Sequence, residues 1–198
     1  MVDPRAPACP VASLDLPGNA ATGMVAAAYF RARLSMRAAP DAAGRLGEPL
    51  GLRLDGRTNT AEISASGGTC ALRLGPDEWL LLSRTEPPDA LAARIAATAG
   101  GTPHALVDVS HRHAGLELAG PAVEAVLASG CPLPLGIAAF PPGRATRTLL
   151  AKAEILLWRL AADRFHIDVA RSLAPYTVGV LREAIGVEVA IAELRSGQ

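Results

Sequence analysis

The sequence predicts an α+β fold built from a duplicated unit, and three observations carry that expectation. The first is a gapless internal match. LRLGPDEWLLLS from Leu72 and WRLAADRFHIDV from Trp158 share Arg73/Arg159, Leu74/Leu160, Asp77/Asp163 and an aromatic at Trp79/Phe165, at a constant offset of 86 (163 − 77 and 165 − 79). The second is a shared order of elements, since each copy reads strand, polar turn with Asp, strand, then helix. The third is the punctuation of those helices, with Pro88 or Pro175 near the start and Gly100 or Gly186 where each is expected to stop. An offset of 86 exceeds the roughly 20 to 50 residues of solenoid repeats. The duplication therefore predicts two pseudo-symmetric subdomains, roughly 21–103 and 104–198, in one globular unit behind an irregular arm at 1–20.

The arm is read from Pro4, Pro7, Pro10, Pro17 and Gly18. Residues 21–34 hold a helix-compatible run of Ala, interrupted by Gly23 and the Tyr29–Phe30 pair. Residues 40–62 are Gly-rich and polar and read as loops and edge strands. Residues 69–74 and 79–83 are strands around GPDE, followed by the helix PPDALAARIAATAG. ALVDVSHRHAGLELAG reads as a strand pair, 105–109 with 114–118. Gly120-Pro121 opens the helix AVEAVLASG, with Gly130 as its left-handed cap. CPLPLGIAAFPPG is a Pro-broken connector. Residues 144–152 and 154–160 are strands, and the second copy closes with FHIDV and APYTVGVLREAIG, a helix expected to end at Gly186.

Of the 198 residues, 50% are hydrophobic and 19% charged, which is the balance of a chain that collapses around a core. The 19 basic and 19 acidic residues cancel, so no positive excess points to nucleic acid. Every basic residue but Lys152 is Arg, a bias we read as genomic composition rather than as an anion site. Cys9, Cys70 and Cys131 are too scattered for a disulfide framework or a zinc knuckle. Without a signal-like N-terminus or an apolar run of about 18 residues, the expected location is cytoplasmic.

Asp108, Ser110, His111 and His113 invite a Ser/His/Asp reading. Triad members normally converge from separate elements, whereas these are neighbours on one segment, so they are expected to be polar strand-end residues. His111 and His113 share one side of a strand, as metal ligands can, but no third ligand stands at a diagnostic spacing. Cys131 follows a helix C-terminus, where the dipole has the wrong sign to activate a thiol. No dinucleotide or phosphate-binding glycine fingerprint is present. Because Asp77, Asp163, Arg73 and Arg159 recur in both copies, they are assigned to the architecture. The unmatched polar residues remain as a candidate partner interface: His111, Arg112, His113, Arg144, Arg147, Arg171 and Ser172. Trp158 joins them because the first copy has Leu72 in its place and Trp is enriched at interface hot spots, with a core position as the alternative.

The ordered strings GPDEWLLL, VDVSHRHAGLELAGP, GCPL, FPPGRATRTLLAKAEILLWRL and DRFHIDVARS, with the final helix, resemble the gamma subunit of heterotetrameric sarcosine oxidase. The resemblance covers about residues 69–186, and Pro134 stands where the family's GCPLDL run has Asp. It implies a fold of swapped β-α-β subdomains like the folate-binding domain of the glycine-cleavage aminomethyltransferases. It also implies a non-catalytic subunit that stabilises an assembly converting sarcosine to glycine, with no cofactor of its own. FAD, FMN, NAD and tetrahydrofolate would sit in the partner alpha, beta and delta subunits. The alternative is a folate or small-anion binding module that assists one-carbon transfer.

Overall fold

The computed structural model describes Val11 and residues 18–19, 23–28 and 30–196. Of the arm expected at 1–20, only Val11, Gly18 and Asn19 are among them; the rest of that expectation lies outside the described residues, as does Cys9. Along the chain run β1 (Gly18–Asn19), β2 (Gly23–Ala28), β3 (Ala32–Ala38), α1 (Pro40–Gly47), β4 (Thr60–Ile63), β5 (Thr69–Arg73), β6 (Glu78–Ser83) and α2 (Pro88–Ala99). They are followed by β7 (His104–Asp108), β8 (His113–Ala119), α3 (Val123–Ala128), β9 (Ala145–Leu150), β10 (Ala153–Ala161), β11 (Arg164–Ala170) and α4 (Ala174–Ser196). The architecture is α+β.

The chain forms two compact units, Phe30–Ser110 with Gly143–Thr146, and Met1–Tyr29 with His111–Pro142 and Arg147–Gln198. The sheet of the first runs β4-β5-β6-β3-β7, and that of the second β9-β10-β11-β8-β2-β1. Reading the two orders side by side, β7 and β2 hold the same place, and both lie antiparallel to the strand beside them. The strand that completes the second sheet therefore comes from the N-terminal end of the chain, ahead of the first unit. Register repeats as well as order. Arg73 stands opposite Trp79 and Leu72 opposite Leu80; 86 residues on, Arg159 stands opposite Phe165 and Trp158 opposite His166.

In each unit one sheet face carries the helix-covered core. Leu34, Met36, Trp79 and Leu81 meet Leu46, Leu91 and Ile95 in the first; Leu116, Leu157, Phe165 and Ile167 meet Val126, Val178 and Leu181 in the second. The central strands are buried on their other face too, through Leu72 and Leu82 in one sheet and Trp158 and His166 in the other. That is why EWLLLS and EILLWRL read as continuous apolar runs rather than as alternating ones.

Several expectations are corrected. Among its described residues the 21–34 segment holds strands, not a helix: β2 pairs with β8, and β3 lies between β6 and β7, so tertiary pairing overrides the helix preference of Ala. Within 40–62 there is a helix, α1, started by Pro40 and Asp41 and ended near Arg45, the arrangement that suits the helix dipole. The expected strand pair 105–109 with 114–118 does not form. β7 joins β3 in one sheet and β8 lies between β2 and β11 in the other, so the chain leaves the first unit after Ser110 rather than near residue 103. Gly100 is the left-handed cap of α2, with φ 53°. Gly130 is not left-handed; a side chain there would crowd the β9–β10 turn, its Cβ lying 3.1 Å from the Ala151 amide nitrogen. Gly186 does not end α4, which continues to Ser196.

Candidate partner-facing site

The repeated Arg and aromatic residues form the same device in both units. Arg73 donates from Nε to the Gly75 carbonyl (3.3 Å) and from Nη2 to Pro76 (2.6 Å), with its guanidinium 5.0 Å from the Trp79 ring centre. Arg159 donates from Nε to Ala161 (3.1 Å) and from Nη2 to Ala162, and lies 4.8 Å from the Phe165 ring centre. Each Arg therefore clasps its own hairpin turn and stacks on the strand that leaves it, a task suited to a planar fork of donors. Each also reaches beyond its turn: Arg73 Nη1 to the Gly56 carbonyl (2.7 Å), and Arg159 Nη1 to the Leu135 (2.7 Å) and Phe140 (3.1 Å) carbonyls and Nη2 to Glu124, with only 1% of Arg159 exposed. Arg159 ties the Pro-broken connector and α3 to the sheet. Both guanidiniums are committed to groups of their own chain, Arg73 to backbone carbonyls and Arg159 to carbonyls and the Glu124 carboxylate.

Asp77 and Asp163 hold equivalent places. Their carbonyls accept from the Ala38 and Gly120 amides at 3.1 and 3.0 Å, closing the ends of β3 and β8. Asp77 also pairs with Arg37 at 2.8 Å. The Asp108–Ser110 pair is likewise committed to the backbone. Asp108 Oδ1 accepts from the Ser110 amide (2.8 Å) and hydroxyl (2.5 Å), while Ser110 Oγ accepts from the Arg33 amide at 2.9 Å. Asp108 thus bonds to the serine directly, with no histidine between them, which is a strand-ending turn and not a relay.

The eight candidate interface residues fall into separate places. Arg112 and His113 at the start of β8 meet Arg171 at the end of β11: His113 stands opposite Ala170, and the Arg171 amide donates to the Arg112 carbonyl at 3.0 Å. His111, Arg112 and Ser172 are exposed there, while His113 and Arg171 are half-buried. Arg147 is exposed on β9, the edge strand of the same sheet, and Arg144 is exposed in the other unit, bridging to Thr60. Trp158 takes the core position that was the alternative to an interface one. It is 3% exposed and packs edge-on to His166, ring centres 6.1 Å apart. Cys131 is buried, Sγ 3.8 Å from Thr148 Oγ1.

A buried polar row escaped the sequence reading. On the face of the second sheet turned away from its helix-covered core, Glu117, His166 and Trp158 lie side by side in register, with Asp168 next to Leu156. His166 Nε2 is 3.4 Å from Asp168 Oδ1, and both residues are buried. The alternation in FHIDV is itself the signal, but a polar residue at every second strand position normally marks a solvent face. No group of three His, Cys, Asp or Glu among the described residues could hold a metal ion. No helix among them is long and apolar enough to cross a membrane.

The duplicated sheet pair defines the structural class first. Aminomethyltransferase T of the glycine cleavage system from Bartonella henselae matches with a TM-score of 0.59 at 15% identity, covering 81% of this chain and 45% of that one, a likeness of fold. At closer range, the gamma subunits of sarcosine oxidase from Arthrobacter sp. and from Corynebacterium sp. strain P-1 are 33% and 35% identical over 157 and 159 residues, 79% of this chain and 76% of each relative. A chain of heterotetrameric sarcosine oxidase from Corynebacterium sp. U-96, solved with pyrrole 2-carboxylate, matches with a TM-score of 0.81 and 29% identity over 91% of this chain and 95% of that one. The family model for the sarcosine oxidase gamma subunit matches residues 36–187. The chain belongs to the sarcosine oxidase gamma subunit family.

Proposed function

We propose that this chain is the gamma subunit of a heterotetrameric sarcosine oxidase and serves its assembly without catalytic residues of its own. The observation that carries the reading is the match across nearly the full length of both chains to a component of a heterotetrameric sarcosine oxidase. The local chemistry agrees with it. The polar groups that a sequence search would nominate for catalysis or anion binding, Asp108, Ser110, Arg73 and Arg159, are used to close turns and strand ends. In this reading alpha, beta and delta partners in the cytoplasm hold FAD, FMN, NAD and tetrahydrofolate and demethylate sarcosine to glycine. The exposed group around His111, Arg112 and Ser172, with Arg144 and Arg147, belongs to surfaces that meet those partners.

Co-expression with the other oxidase subunits of the same source, followed by affinity purification through a tag on this chain, tests the reading. The expected result is one four-chain complex with sarcosine-dependent oxygen consumption. Absence of a complex overturns it. Micromolar binding of tetrahydrofolate by the purified chain alone would replace the scaffold role with a ligand-binding one.

A further inference from the structure

The duplication supplies an internal standard for how much of α4 the fold requires. Its counterpart α2 has 12 residues and ends at Gly100; the matching stop, Gly186, is passed, and α4 runs for 23 residues. The residues α4 buries, Ala174, Thr177, Val178, Leu181, Ala184 and Ile185, all lie before that point. Beyond it only Val189 packs partly against the core. The extension VEVAIAELRS is nevertheless apolar, with Val187 58% and Leu194 73% exposed.

The exposed residues of α4 are aligned. Exposed Tyr176, Glu183, Val187 and Leu194, with half-buried Val180 and Ile191 between them, recur at intervals of three and four, which at 100° per residue places them within an arc of about 80° and along about 27 Å of helix. The buried set lies on another side of the helix. A helix apolar on two faces belongs between two layers, and the first unit's α2 has no such second stripe among the described residues. At its N-terminal half the stripe borders an open groove of about 560 Å³, whose opposite wall is Ser129, Gly130 and Ala151. Glu183 is the one charged residue lining the groove and makes no ion pair with a described residue.

Resting on the subunit reading above, we infer that this second face of α4 is the docking surface for an apolar helix of an oxidase partner subunit, packed at coiled-coil spacing with a Lys or Arg set opposite Glu183. A straight apolar stripe at three-and-four spacing is the face that a second helix covers by knobs-into-holes packing. The lone carboxylate selects its charge, because an acidic group in an apolar seam needs a cation once water is excluded. A second copy of this chain fits less well: the stripe carries no cation, so pairing the stripe with itself sets no positive charge directly opposite Glu183.

The test compares the wild-type chain with Val187→Asp/Leu194→Asp and with Glu183→Lys, each co-expressed with the other oxidase subunits. Because the three positions are exposed, the isolated variants should melt within about 2 °C of wild type. Assembly should fall at least about tenfold for both variants, read as complex recovered per amount of this chain. Glu183→Gln should fall by less than Glu183→Lys. If the wild-type chain forms no complex, the subunit reading fails and the inference with it. If wild type and the variants assemble equally, the inference alone fails. A wild-type chain that is dimeric by light scattering and made monomeric by Val187→Asp/Leu194→Asp, with complex recovery unchanged, would identify a second copy as the occupant and overturn it as well.

Discussion

Two arginines in one repeat position show how far environment sets a residue's worth. Arg73 and Arg159 make the same turn-clasping bonds and the same stack on an aromatic ring. Only Arg159 is sealed from water while also holding the Leu135 and Phe140 carbonyls. Removing it leaves buried acceptors without donors, which is costlier than losing a bond that water can replace. Arg159→Met should therefore lower stability by roughly 3 kcal/mol and Arg73→Met by roughly 1 kcal/mol, measured by urea unfolding of the isolated chain. Equal losses would mean that the clasp alone matters and the connector contacts do not. The structural role of both arginines was legible in the repeat. The buried His166–Asp168 pair was not, because strand alternation tells which side a residue takes and not whether that side is wet.

At the scale of elements, turn chemistry and repeat position were good guides where the chain's own backbone decides the outcome. Gly100 caps α2 in the left-handed region as its place predicts. At Gly186 the same residue type in the same repeat position does not stop the helix, because glycine permits a left-handed cap without requiring one. Since no residue of α4 past Ile185 is fully buried, ending the chain after Gly186 should remove little folding energy. We expect the shortened chain to melt about 2–4 °C below wild type, the equivalent of about 1 kcal/mol for the partly buried Val189. A loss of cooperative unfolding in calorimetry would show instead that the extension supports the core. The Ala-rich 21–34 segment is the opposite case, in which distant pairing partners, such as Leu82 for Arg33 (82 − 33 = 49 residues on) and Leu118 for Val25 (118 − 25 = 93 residues on), decide the conformation.

For the whole molecule, the division into two units follows strand pairing rather than the repeat boundary. A fragment of residues 30–110 keeps all five strands of the first sheet, whereas one ending at residue 103 lacks β7 and leaves β3 as an open edge. The longer fragment should give a cooperative urea transition monitored by circular dichroism, and the shorter one should not. Matching behaviour would place the unit boundary near residue 103 after all. By itself the sequence determined the duplication at offset 86, the two Asp-turn hairpins, α2 and its cap, the structural role of Arg73 and Arg159, and a resemblance that the family match bears out, because these rest on local backbone chemistry and on order along the chain. Tertiary structure alone decided that β7 and β8 part into different sheets, that β2 completes the second, that His166 and Asp168 are buried, and that α4 outruns its counterpart. Those outcomes depend on which distant strand supplies the missing hydrogen bonds and which faces lose water, and neither quantity is written in any local stretch of residues.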